Sequence, residues 1–288
     1  MIRRLADIGF QVTNGYSYMS LAHRVTEEGK SIQTPAGTYF YWSRPNGVEL
    51  WMKAAPEEER TYIHPHFLGK AVMLAAIVDR KSYENNVLAE GCLVAYPRPV
   101  KGQGFLSEHF CLQYGDGTYS NYIPFLFDAP DYDRYLELEM PFVADIQITA
   151  FPFYLLAFET EDDWIDWQLY GGPPKAEEEE KEEEEDQDVW GPETFCPSTM
   201  LHQRKDKDDY PKPTALIAGR VLETGIIENE EGGHEFCWAQ VMTTMGDVDV
   251  VAAPDMINGY IVKGGILSCQ AALSGRILTI PELNLSME

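Results

Sequence analysis

Long hydrophobic runs are missing from this chain. In 288 residues the longest apolar stretch is Ala71–Val78, far short of the roughly 20 residues a membrane-spanning helix needs. The opening Met1-Ile2-Arg3-Arg4 continues into Leu5-Ala6-Asp7-Ile8-Gly9 without an apolar segment or cleavage pattern, so no secretory leader is expected. Cysteine is sparse and unpaired in spacing. Five residues, Cys92, Cys111, Cys196, Cys237 and Cys269, are odd in number and scattered, which suits reduced thiols in a cytoplasmic setting better than a disulfide framework. Cations are scarce as well: 22 Lys and Arg face 47 Asp and Glu, for a net charge of −25. That field repels nucleic acid and anionic membrane, and it attracts basic protein surfaces. No Gly-x-Ser-x-Gly elbow or phosphate loop occurs, and the cysteines and six histidines fall in no local nucleophile signature. No catalytic residue is singled out.

What is present is organised around Ala176–Asp188, AEEEEKEEEEDQD. Ten carboxylates there face one cation, Lys181. Like charges repel, and nothing apolar is available to bury against the ~1–2 kcal/mol per residue that ordering a backbone costs. Gly171-Gly172-Pro173-Pro174 precedes the tract, and Gly191-Pro192, Pro197, Pro211 and Pro213 follow it. These features predict a flexible acidic linker over 171–212. It divides a larger mixed α+β domain at 1–170 from a smaller domain at 213–288.

In the first domain, Ile8, Phe10 and Val12 alternate as in a strand, and Asn14-Gly15 breaks the pattern. Tyr18, Leu21, Ala22 and Val25 follow at i, i+3, i+4 and i+7, the spacing of an amphipathic helix over Tyr16–Glu28. Three strands are predicted next, with Asn46-Gly47 as a hairpin turn. This β-α-β-β-β order, closing on Asn46-Gly47-Val48-Glu49-Leu50, resembles one module of the glyoxalase-like, vicinal-oxygen-chelate families over about 50 residues. The resemblance implies a metal-binding role for Glu49, although Asp7–Val12 lacks the family's ligand on the first strand. Beyond residue 70 the chain is β-rich. Strands are expected at Ala71–Asp79, Val87–Tyr96, Phe110–Tyr114, Tyr119–Phe127, Leu136–Glu139, Ala144–Ala150 and Phe153–Phe158, in a mainly antiparallel sheet.

Three groups in this half have residue types suited to chemistry. His64-Pro65-His66 places two imidazoles at strand period, able to chelate a divalent metal with Glu49 or His109 completing the set; the competing reading is a proline-marked turn with exposed histidines. Asp128, Asp131 and Asp133 can gather around calcium, but they lack the Asp-x-Asp-x-Asp-Gly loop. Asp162 and Asp163 beside Trp164 and Trp167 form a docking motif for a basic, apolar groove, or else the tryptophans pack inward as the domain's last turn.

The second domain reads as five short strands with glycine turns: Thr214–Leu222, Glu235–Thr243, Val248–Ala252, Gly264–Ala272 and Gly275–Ile280. Their spacing resembles a five-stranded oligonucleotide/oligosaccharide-binding (OB-like) barrel. Charge argues against nucleic acid there, since eight carboxylates face Arg220, Lys263 and Arg276 between Thr214 and Ile280. Asp247 and Asp249 share a strand face that can bind a cation. The functional expectation is a non-enzymatic acidic interaction protein, an adaptor or immunity-type inhibitor of a basic protein partner. The alternative is a metal-dependent small-molecule enzyme or binding protein using Glu49, His64 and His66.

Overall fold

A computed structural model describes residues 2–54, 62–83, 90–97, 123–171, 190–201, 211–281 and 285–286. Among them the chain is α+β, with four α-helices and two sheets of mainly antiparallel strands. Helix α1 (Ile2–Ala6) comes first. Helix α2 (Gly15–Glu28) follows where the 3.6-residue pattern predicts it, with Leu21, Ala22 and Val25 buried. Asn14 starts α2 with a reciprocal cap: its side chain accepts from Ser17 N–H at 3.0 Å, while Ser17 Oγ accepts from Asn14 N–H at 3.2 Å. Strands β1 (Lys30–Thr34), β2 (Gly37–Ser43), β3 (Val48–Lys53) and β4 (Ile63–Phe67) then form an antiparallel meander in chain order. Gly47, at φ 89°, supplies the positive-φ position in the β2–β3 turn.

This corrects the glyoxalase-like expectation, which needs a strand before α2. Residues 2–6 are helical, and Gly9 at φ 83° redirects the chain so that Ile8 and Phe10 enter the core as single anchors. Phe10 makes only an isolated bridge, to Gly233. The alternation of Ile8, Phe10 and Val12 records burial against α2 and β2–β4 rather than strand pairing.

The second sheet has eleven strands: β5 (Val72–Ser82), β6 (Gly91–Pro97), β7 (Phe125–Asp128), β8 (Phe142–Phe158), β9 (Thr194–Pro197), β10 (Thr214–Asn229), β11 (His234–Thr243), β12 (Gly246–Ala252), β13 (Ile257–Gly259), β14 (Ile266–Ile280) and β15 (Leu285–Ser286). Helix α3 (Glu161–Tyr170) follows β8, and α4 (Ser198–Leu201) follows β9. The spine is the antiparallel pair β8–β14, in register from Phe158↔Ile266 to Asp145↔Thr279. On it β5 pairs with β8 and β10 with β14, while β12 and β13 run parallel to β8.

The OB-like barrel expected at 213–288 is therefore also corrected. The C-terminal strands are not a self-contained closed barrel, because β14 joins β8 along nearly its whole length and hydrogen bonding runs through segments on both sides of 171–212. Two punctuating residues concealed this. Pro152 looked like a break between Ala150 and Phe153, but it sits inside β8 opposite Ala271, where the register shifts between Gln270 and Ala271. Gly275, expected to open a separate strand, lies within β14. A Cβ there would come within 2.5 Å of the Phe127 ring and 2.6 Å of Ile148 Cδ1, so its glycine serves close packing.

The main core mixes both segments, with Ile77, Phe127 and Ile148 against Ile217, Val241 and Leu273. A second core packs α1, α2 and the meander onto the large sheet through Leu5, Val25, Trp42, Leu50, Phe151 and Phe236. Leu136–Glu139, expected as a strand, follows the 3-10 turn Tyr132–Tyr135. Ala176–Asp188, His109, Cys111 and the strand expected at Phe110–Tyr114 lie outside the described residues. Among those described, no helix is long and apolar enough to cross a membrane.

Candidate functional site

The residues expected as metal ligands lie in a buried polar seam between the meander and the large sheet. Glu49 is on β3 and opposes His66 on β4. Its carboxylate accepts from Arg276 Nη1 at 2.8 and 3.1 Å, from Tyr41 Oη at 2.7 Å and from Trp51 Nε1 at 3.1 Å. Arg276 reaches it from β14, its guanidinium 4.7 Å from the Trp51 ring centroid, and the buried acids around it raise its already high pKa.

His66 is bonded at both ring nitrogens, Nδ1 to Ser274 Oγ at 2.9 Å and Nε2 to Gln147 Oε1 at 2.7 Å. Gln147 Nε2 donates to Asp249 Oδ2 at 2.8 Å and to Thr149 Oγ1 at 2.9 Å. Its oxygen must therefore accept, which assigns the His66 proton to Nε2 and makes Ser274 the donor to Nδ1. Burial, then the Arg276 charge, pushes the His66 pKa down to about 3, so the ring is neutral. Asp249 ends the chain, accepting also from Trp238 Nε1 at 2.7 Å and from the backbone N–H groups of Lys70 and Ala71. Its companion Asp247 accepts from Gln240 at 2.9 Å, so the two acids do not share a ligand.

His64 lies further along β4, with Nε2 3.8 Å from Glu90 Oε1. The three aspartates considered for calcium have separate partners: Asp128 with Arg4 at 2.8 Å, Asp131 with Tyr135 Oη at 2.7 Å, and Asp133 with Lys53 at 2.6 Å. Among the described residues no group of three or more His, Cys, Asp or Glu is placed to hold a metal ion.

The residues expected to dock a partner divide by face. Trp164 is buried against Ala218 and Ile266, and it stacks on Trp167 with ring centroids 5.9 Å apart. Asp163 caps α3, accepting from Thr160 N–H at 3.2 Å while its own N–H donates to Thr160 Oγ1 at 3.1 Å. Asp162 is exposed. With Asp166, Leu169 and Tyr170 it falls at i, i+4, i+7 and i+8, a single stripe on the outer side of α3. Trp190 is exposed, and its backbone is held by Gln168 of α3, which accepts from Trp190 N–H at 2.6 Å and donates to its carbonyl at 3.0 Å.

Sequence reasoning missed a cleft of about 680 Å³. Helix α1 presents Arg3 and Arg4 to it, the turn that follows supplies Asp7, the end of β5 supplies Lys81, and the segment before β10 supplies Lys212. Phe151, Pro152 and Phe153, where β8 bulges, form an apolar wall. Asp7 is 1% exposed. One of its oxygens accepts from Ala253 N–H at 3.2 Å, and Oδ2 has no hydrogen-bond partner among the described residues. Burial pushes this carboxyl up to about 7, against the lowering effects of the Ala253 bond and of Arg3 and Arg4. The signal available in sequence was a basic pair beside an aspartate in an acidic chain, with its companions more than 70 residues away. No family model, curated protein or solved structure matches the chain.

Proposed function

We propose that the protein is a non-enzymatic docking module whose α3 face takes a basic, apolar-bearing segment of a protein partner. The observation that carries this reading is the α3 stripe. Two carboxylates, Asp162 and Asp166, lead into the exposed Leu169 and Tyr170, and the exposed Trp190 is tied to the same helix through both of its backbone polar groups by Gln168. Exposed aromatics contribute contact area, and flanking carboxylates select cationic partners and accelerate their encounter. The chain's charge of −25 acts in the same direction over longer range.

Titration with a fluorescein-labelled amphipathic Lys/Leu peptide, alongside its Glu/Leu counterpart, tests the proposal. Selective binding of the Lys/Leu peptide is expected, weakening as salt is raised and lost in a Tyr170→Ala/Trp190→Ala variant. Both substitutions are at exposed positions, so the fold should persist. Equal binding of the two peptides, or undiminished binding by the variant, overturns it.

A further inference from the structure

We propose that the cleft between α1 and the Phe151–Phe153 bulge binds an anionic small molecule with an apolar body. Arg3, Lys81 and Lys212 would face its acid group, and the two phenylalanines its body. The first argument is charge. The chain carries 47 carboxylates against 22 cations, yet this cleft gathers Arg3, Arg4, Lys81 and Lys212 around two acids. One of those acids, Asp128, is ion-paired with Arg4 at 2.8 Å. The second argument is shape: about 680 Å³ lies within the range of cavities that enclose small organic ligands. A concave apolar wall with cations at its margin suits a compact amphiphile better than a protein surface.

The third argument is Asp7. Its Oδ2 is buried without a hydrogen-bond partner among the described residues, and Asp7 is one of the residues that line the cleft. Leaving such an atom unsatisfied is costly, and a ligand group in the cleft would relieve it. When protonated, Oδ2 can donate to an anion, the arrangement in which a buried carboxylic acid is kept neutral to act as a donor. Arg3 and Arg4 of the preceding helix and Asp255 are the charged groups acting on it, and Asp128 of β7 lines the same cleft. With its titration near 7, anion binding should weaken as pH rises through neutrality.

Anilinonaphthalene sulfonate, an anionic aromatic dye, is the probe. Expected is saturable fluorescence enhancement at one dye per chain, reversed by decanoate and not by decyltrimethylammonium or decanol. Lys81→Glu/Lys212→Glu should weaken binding about tenfold, since each reversal replaces an attraction with a repulsion. Lys212→Glu alone, at an exposed position, is the control should the double variant unfold. Asp7→Asn should bind with an affinity that no longer changes across neutral pH, because the amide donates at every pH. Absence of saturable binding, equal displacement by the three amphiphiles, or unchanged affinity in the charge-reversed proteins would each overturn the proposal.

Discussion

Arg276 of β14 and Glu49 of β3 form a buried ion pair, one guanidinium nitrogen lying 2.8 and 3.1 Å from the two carboxylate oxygens. It ties the meander to the large sheet between positions 227 residues apart. Both side chains are at most 4% exposed, so neither charge has water to fall back on. Removing Arg276 alone, as Arg276→Met, is expected to destabilise the protein by ~3–5 kcal/mol, because Glu49 is left charged and buried. Glu49→Leu/Arg276→Met should cost clearly less than the sum of the single changes. Urea unfolding of the four proteins, analysed as a double-mutant cycle, checks this; strict additivity would show that the pair is not coupled.

Asp7 gives a pH prediction with a definite sign. Its folded pKa, about 7, lies above the ordinary carboxylate value, so between pH ~4 and ~7 the folded state holds a proton that the unfolded state has lost. Stability from this group is present below pH ~4 and declines as pH rises to ~7. Asp7→Asn should therefore be more stable than the parent by ~4 kcal/mol near pH 8, with the advantage shrinking toward pH 4. Denaturant midpoints across that range provide the measurement.

His66 has the opposite slope. Its folded pKa of about 3 lies below the unfolded value, so stability present above pH ~6.5 is lost as pH falls toward 3. In the parent this loss is partly masked by Asp7 over the shared window. In the Asp7→Asn background the acid-side decline should be steeper, approaching ~1.4 kcal/mol per pH unit. A flat acid-side response in that background would mean that His66 is already charged in the folded protein.

Gly275→Ala tests the continuity of β14. The added methyl would meet the Phe127 ring at 2.5 Å and Ile148 at 2.6 Å, both fully buried, so the strand or the ring must move. A loss of ~1–3 kcal/mol is expected from overpacking. Gly171→Ala is the contrasting change, since no described residue lies within 4 Å of the added methyl and its φ of 67° is what opposes a side chain. Its cost should be ~1 kcal/mol.

Thiol chemistry follows from burial. Cys92 and Cys269 are buried, and desolvation raises their pKa to about 11 and about 12. Brief iodoacetamide treatment of the folded protein near pH 7.5 should leave both unmodified by mass spectrometry, with labelling appearing only in denaturant.

Local patterns were legible in the sequence where neighbours in the chain decide the outcome. The α2 stripe Leu21, Ala22 and Val25, and the Asn46-Gly47 turn, are of that kind. Pro65 illustrates the limit. It suggested a turn with exposed histidines, but it pairs with Leu50 in β4, an edge strand of the meander, where a missing N–H costs the sheet nothing. The partners of Glu49 and His66, Arg276 and Ser274, lie more than 200 residues downstream, and no spacing rule connects them. The cleft was hidden for the same reason, its cations coming from three separate segments.

Gln168 and Trp190 meet through two hydrogen bonds, so the chain that departs after α3 comes back to the place it left. The described residues on either side of 172–189 are thus held side by side. Closing a loop grows more expensive only logarithmically, about 0.6 kcal/mol for each doubling of length. Residues could accordingly be added to or trimmed from the Glu-rich stretch across evolution, or a reporter spliced in by an experimenter, with the eleven-stranded sheet left undisturbed.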